Sequence, residues 1–108
     1  MRQLGLGLLL ASMLVSGAVF AASLYTGDQL LDHCRQAPET PSRFYCFGYV
    51  VGVAEILHGR EEICLSHGVA PKHLMDVVVQ YLQAIPAPRQ HPAHIWVSLA
   101  LVRAFPCE

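Results

Sequence analysis

The sequence predicts an all-α protein, a small four-helix bundle stapled by two disulfides. Three observations carry this prediction. Apolar residues recur at helical spacing in the segments that begin near residues 26, 42, 71 and 92, and proline-rich or glycine-containing stretches separate these segments. An even set of four cysteines lies beyond the first 22 residues. A short exported chain gains much from cross-links because its core is small.

Residues 1–22 have the pattern of a secretory signal peptide. Arg2 precedes an apolar run that ends in the small-residue sequence AVFAAS, and we expect cleavage after Ala21 or Ala22. The domain organisation predicted is therefore a removed signal peptide, 1–22, followed by one helical domain, 23–108. Export through this signal would place the mature protein in an oxidising compartment.

The first predicted helix begins after Thr26, which forms a capping box with Gln29 three residues later. The prolines of APETP end it. Ser42 is the expected N-cap of the second helix, which runs to Gly59. That helix is apolar on nearly all sides, and this predicts a central, buried helix, or one whose surplus apolar surface a dimer interface would bury.

The third and fourth helices begin at prolines, since proline is favoured at the first helical position. Pro71 opens a helix with one apolar face, and Pro92 opens a helix that ends near Phe105. Short connections make consecutive helices antiparallel neighbours. This layout brings together the chain ends that carry the cysteines, and of the three pairings that four cysteines allow it favours Cys34–Cys46 and Cys64–Cys107.

Composition argues against several functions. Without Arg2, six basic residues face eight acidic ones, so the surface lacks the basic patch that nucleic acid requires. No apolar run long enough to span a membrane follows the signal. The histidines show no metal-ligand spacing, and paired cysteines leave no thiol nucleophile. We therefore expect no enzyme activity, no cofactor and no metal; the histidines are His33, His58, His67, His73, His91 and His94.

Five blocks of the chain, taken in order, resemble the type VI secretion amidase immunity proteins, the Tai/Rap group. The blocks are GDQLLDHC, CFGYVVGVAEIL, IC, VVVQYLQAIP and SLALVRAFPC, and they cover nearly the whole mature chain. Two departures concern the connections. Leu65 follows Cys64 where the group commonly has proline, and APRQHPAH is unusually rich in proline, so the turn before the fourth helix is expected to differ in shape.

The resemblance implies a helical periplasmic protein, often a homodimer, that binds and occludes a peptidoglycan amidase effector delivered by sister cells. The resemblance does not transfer contact residues, because the matched blocks are mostly core and cysteine positions. Expected exposure and polarity instead favour partner-binding residues in the second helix and in two connections between helices. These residues are Glu55, Arg60, Glu61, Glu62, Ser66, His67, Arg89 and Gln90.

Glu55 has a second interpretation, as a surface carboxylate paired with Arg60 or Lys72. Two other functions also remain open for the chain. One is a periplasmic acid-stress chaperone, because six histidines would add charge below about pH 6.5. The other is an orphan envelope binding protein of the same fold.

Overall fold

The computed structural model describes residues 24–108, which form four helices and no strand, apart from one isolated bridge between Thr26 and Pro92. The helices are α1 (Gly27–Cys34), α2 (Pro41–Gly59), α3 (Pro71–Ala84) and α4 (Ala93–Ala104). The all-α prediction is confirmed. The predicted signal peptide, residues 1–22, lies outside the described residues, so it stays a prediction.

The predicted capping box starts α1. The Gln29 backbone N–H donates to Thr26 Oγ1 over 3.2 Å, and the Thr26 backbone N–H donates to Gln29 Oε1 over 2.9 Å. These two bonds satisfy donors that would otherwise lack a partner at the helix end. They matter because α1 has only eight residues, and so short a helix does not persist without tertiary support.

The N-cap predicted for α2 is wrong by two residues. Thr40 caps the helix, with Oγ1 accepting from the Arg43 backbone N–H over 3.2 Å, and Pro41 is the first helical residue. Proline suits that position because its missing N–H would have no helical partner there. Ser42 therefore lies inside the helix. Pro71 opens α3 as predicted, whereas Pro92 is the N-cap of α4 and Ala93 its first residue.

The core receives side chains from every helix. Leu30 of α1, Val50 of α2, Val78 of α3 and Val97 of α4 are each fully buried, and Ile63 joins them from the connection between α2 and α3. No polar or charged residue within 24–108 is buried to this degree. The bundle is therefore stabilised chiefly by apolar burial, the dominant favourable term in folding.

α2 is central as predicted, because the three other helices all contact it, but the prediction that it is buried is wrong for its outer side. Its inner face, which includes Cys46 and Val50, is buried, but Phe44 is 63% exposed, Phe47 40% and Ile56 60%. The three other helices all pack against the inner side of α2 and leave the outer side uncovered. No helix among residues 24–108 has both the length and the apolar content to cross a membrane.

Both predicted disulfides are present. Cys34 and Cys46 join the end of α1 to the start of α2, with their Cα atoms 5.0 Å apart. Cys64 and Cys107 join the segment before α3 to the segment after α4, with Cα atoms 4.9 Å apart. Each disulfide therefore ties a pair of antiparallel helices together at one end.

Gly27 of α1 packs closely against Trp96 of α4. A Cβ atom built there would stand 2.6 Å from Trp96 Nε1 and 3.2 Å from Arg89 Cβ. We therefore expect Gly27→Ala to lower the free energy of unfolding by about 1–3 kcal/mol through overpacking. Chemical denaturation of the oxidised protein measures the change.

Gly59→Ala is the matched control, because a Cβ at Gly59 meets nothing within 4 Å. We expect this variant to equal or slightly exceed the wild type, since alanine favours helix by up to about 1 kcal/mol over glycine. A Gly27→Ala protein as stable as Gly59→Ala would contradict the close packing of Gly27 on Trp96.

Candidate partner-binding surface

The connection between α2 and α3, residues 60–70 and hereafter the connector, holds most of the predicted contact residues. It starts with a tight reversal, in which the Glu62 backbone N–H donates to the Leu57 carbonyl over 2.8 Å. Glu61 adopts the left-handed region at φ 60°, which non-glycine residues rarely occupy. The reversal turns the chain back across the end of the bundle.

Three contacts then fix the connector to the bundle. Ile63 is fully buried in the core. The Cys64 backbone N–H donates to the Phe105 carbonyl over 3.0 Å, and the Cys64–Cys107 disulfide reinforces this contact. The Leu65 backbone N–H donates to His58 Nδ1 over 3.4 Å. The connector is therefore held in one shape although it contains no helix or strand.

The polar side chains of the connector face solvent. Arg60 Nε lies 3.0 Å from Glu62 Oε2, and the two side chains are 68% and 43% exposed. An ion pair this exposed contributes little stability, so a partner can break it at low cost. Glu61, Ser66 and His67 are exposed as well. The structure thus brings five of the eight predicted contact residues into one short, anchored segment.

Arg89 is placed differently from the expectation, because its side chain is only 12% exposed. Its guanidinium Nη1 donates to Asp28 Oδ1 over 2.9 Å, and its Nε donates to the Leu82 carbonyl over 2.6 Å. The neighbouring Gln90 is exposed. Arg89 therefore holds the α3–α4 loop, residues 85–92, against α1, and this position gives a partner little access to its charge.

The same loop supplies hydrogen-bond acceptors to the start of α1. The Gly27 N–H donates to the His91 carbonyl over 3.0 Å, and the Asp28 N–H donates to the Arg89 carbonyl over 3.1 Å. The Arg89 backbone N–H donates in turn to Asp28 Oδ2 over 2.8 Å. The Arg89 guanidinium hydrogen bond and then this backbone bond lower the pKa of the Asp28 carboxyl below its ordinary value.

Glu55 projects from the uncovered side of α2. The ion pairs weighed for it do not form, because Arg60 pairs with Glu62, and Lys72 Nζ lies 2.8 Å from Asp76 Oδ2. Glu55 is exposed on a helix whose neighbouring outward side chains, including Phe44 and Ile56, are apolar. Glu55 therefore belongs to a mostly apolar surface that is separate from the connector.

Sequence reasoning missed an aromatic cluster between α1 and α2. The ring of Tyr45 lies 4.9 Å from that of Tyr25 and 4.7 Å from that of His33, and the ring of Tyr49 follows at 5.9 Å from Tyr45. Burial raises the pKa of both Tyr45 and Tyr49. The four-residue spacing of Tyr45 and Tyr49 could have indicated that the two rings share one helix face. The sequence prediction treated both residues only as part of an apolar helix.

Two kinds of reactive group are absent from residues 24–108, a free thiol and a cluster of metal ligands. All four cysteines are in disulfides, so residues 24–108 contain no free thiol. Within the same range, no three side chains among histidine, cysteine, aspartate and glutamate converge as a metal site would require. The surface features that remain are the anchored polar connector and the uncovered side of α2, and both are suited to contacts with proteins.

Comparison with known protein families identifies the family of this chain. The family model for Rap1a immunity proteins matches residues 26–107, from the N-cap of α1 to the last cysteine. The chain belongs to the Rap1a immunity protein family. A search of curated proteins found no match. Membership indicates an immunity function against a type VI secretion effector, and therefore a protein partner. The two disulfides fit an oxidising compartment.

The hydrogen bonds between Asp28 and Arg89 predict a dependence of stability on pH. Because the folded-state pKa of Asp28 is lowered, its stabilising effect is complete above the ordinary pKa of about 3.9 and is lost as the pH falls through the folded-state value. We expect wild type to unfold at higher denaturant than Asp28→Asn at pH 7, with the difference shrinking below about pH 4.

Denaturant midpoints measured at several pH values test this expectation, and Arg89→Met serves as the paired variant. Removing the guanidinium should also reduce the loss of stability on acidification, since Asp28 then lacks its strongest partner. Two variants with the same pH profile as wild type would show that the Asp28–Arg89 contact does not contribute in solution.

Proposed function

We propose that this Rap1a-family protein is a periplasmic immunity protein that binds a peptidoglycan amidase effector of a type VI secretion system and blocks its active-site cleft. The observation that carries the proposal is the connector: a polar, exposed segment anchored by a buried isoleucine and a disulfide, on a chain whose family is one of immunity proteins. The amidase as target comes from the sequence resemblance to the Tai/Rap group.

The shape of the connector suits occlusion of a cleft. A segment already fixed in its bound form loses little conformational freedom on binding, and more of the contact energy then appears as affinity. The charges of Arg60, Glu61 and Glu62 add electrostatic complementarity, which speeds association and selects among partners. A connector seated in the cleft would exclude the wall peptide without any chemistry by the immunity protein.

The proposal includes the compartment and the oligomeric state. Export through the predicted signal peptide, 1–22, would deliver the chain to the periplasm, where its disulfides can form and where an amidase would reach the cell wall. We further propose that the protein acts as a homodimer. The uncovered apolar side of α2 supports this, because soluble monomers rarely leave such a surface exposed.

The direct test is co-purification of the exported, disulfide-bonded protein with candidate type VI amidases, followed by an assay of protection from lysis. We expect a stable complex with one amidase class and survival of cells that direct this amidase to their own periplasm. If no amidase binds and none is neutralised, the amidase target is wrong. Suppression of client aggregation only at low pH would favour the chaperone function instead.

The connector itself is tested by reversing one of its charges. We expect Glu61→Arg to weaken amidase binding at least about tenfold, or about 1.4 kcal/mol, because the substituted side chain lies at the proposed contact. The measurement is a titration of the purified amidase by calorimetry. Asp32→Arg, the same reversal at an exposed position of α1, should bind as the wild type does. Equal affinity of all three proteins would remove Glu61 from the contact.

A further inference from the structure

The uncovered side of α2 carries a regular row of four residues. Phe44, Gly48, Gly52 and Ile56 are spaced by four, so they form one inclined i±4 ridge along the exposed side of the helix. Phe44 and Ile56 are among the most exposed apolar side chains of residues 24–108, at 63% and 60%. A Cβ built on Gly48 or Gly52 meets nothing within 4 Å. We call these four residues the outward row.

Nothing among residues 24–108 accounts for the two glycines. Each lowers helix stability by about 1 kcal/mol relative to alanine. Neither has the positive φ that would require glycine, since Gly68 is the glycine with positive φ in the described residues. Neither is approached by a neighbouring element of the bundle. Glycine at such a position permits the close approach of another backbone, and here the approaching backbone must come from outside residues 24–108.

The row has the symmetry of a self-complementary surface. It reads large, glycine, glycine, large from either end, with its midpoint at Val50. An interface around a twofold axis needs one patch that complements itself. With the axis at the level of Val50, Phe44 would face Ile56 of the partner subunit, and Gly48 would face Gly52 of the partner subunit. Each large side chain of the row then contacts a large side chain of the partner subunit. The glycines let the two helices cross closely, with their i±4 ridges interdigitated.

The single charge on this stretch selects the antiparallel arrangement. Between Arg43 and His58, α2 carries one ionised side chain, Glu55. Parallel helices in register would place the two Glu55 carboxylates beside each other, which is unfavourable. The antiparallel pair places Glu55 opposite Tyr45 of the partner subunit and separates the two carboxylates by about 15 Å along the axis.

We propose that α2 pairs with α2 of a second copy of this chain, antiparallel across a twofold axis, through the outward row. This inference rests on the homodimer of the proposed function and assigns its surface. A second copy is favoured over the effector as occupant because the row Phe44, Gly48, Gly52 and Ile56 complements itself about Val50, as a twofold contact requires. The other copy is the partner that is always present at equal concentration.

The pairing leaves the connector free to bind its target. The outward row ends at Ile56, whereas the exposed connector side chains begin at Arg60, beyond the end of α2. Because the contact is limited to one helix face, we expect its buried area to lie at the low end of stable interfaces, which begin at about 1,200 Å² in total. We therefore expect a dimer that dissociates on dilution, with its midpoint in the micromolar range.

Sedimentation velocity over a series of concentrations tests the pairing with the full disulfide-bonded chain. We expect wild type to approach the mass of two chains and Gly52→Glu to remain at the mass of one, because a charged side chain would enter the closest contact. The substituted Cβ meets nothing in the monomer and glutamate favours helix, so the helical circular dichroism should be retained. Leu99→Glu, at an exposed apolar position of α4, should still form the dimer.

A wild type that stays at the mass of one chain, or a Gly52→Glu variant that dimerises like wild type, would overturn the pairing. The pairing would also be overturned if Leu99→Glu lost the dimer and Gly52→Glu kept it. Amidase binding on the same samples separates this inference from the proposed function. A monomeric wild type that binds amidase overturns the homodimer together with its α2 pairing and leaves the amidase target standing. A dimer of the expected behaviour that binds no amidase contradicts the amidase target alone.

Discussion

The disulfide between Cys64 and Cys107 joins the connector to the end of α4 and holds their Cα atoms within 4.9 Å. The core beneath it is small, since 16 apolar or cysteine residues make up the buried set of residues 24–108, and α1 contributes only eight residues of helix. Cross-links that restrict the unfolded chain matter most for a domain of this size. The second disulfide, Cys34–Cys46, performs the same role for α1 and α2, so each helical pair is closed at one end.

This construction gives the molecule two surfaces with different chemistry. The connector is polar and held by backbone contacts and a covalent bond, which suits recognition of a partner that binds by complementarity of shape and charge. The outward row of α2 is apolar and flat because of Gly48 and Gly52, which suits a self-complementary contact with a second copy. In an immunity protein the second surface would present two connectors, one from each copy, to incoming effectors.

The sequence predicted those features whose causes are local or depend on chain order. Thr26 and Gln29 form a capping box because both partners lie in one helical turn, and the disulfide pairing follows from alternating helix directions. The α2 cap was misplaced because Ser42 and Thr40 are both good caps, and Pro41 decides between them. The prediction that Arg89 is exposed is wrong because its partner, Asp28, is 61 residues away in sequence, and no local pattern indicates that contact. The burial of α2 was overestimated because an apolar helix has the same composition whether its own chain or another copy covers it.

Two contacts define the proposed function of this molecule: the connector binds the effector, and α2 binds a second copy. Hydroxyl-radical footprinting of the disulfide-bonded protein, with and without its amidase, tests both contacts in one measurement. We expect Phe44 to be protected at high protein concentration even without amidase and to become reactive on dilution, whereas His67 becomes protected only when amidase is added. Unchanged reactivity of His67 in the saturated complex would contradict binding through the connector, and protection of Phe44 that appears only with amidase would contradict the α2 pairing.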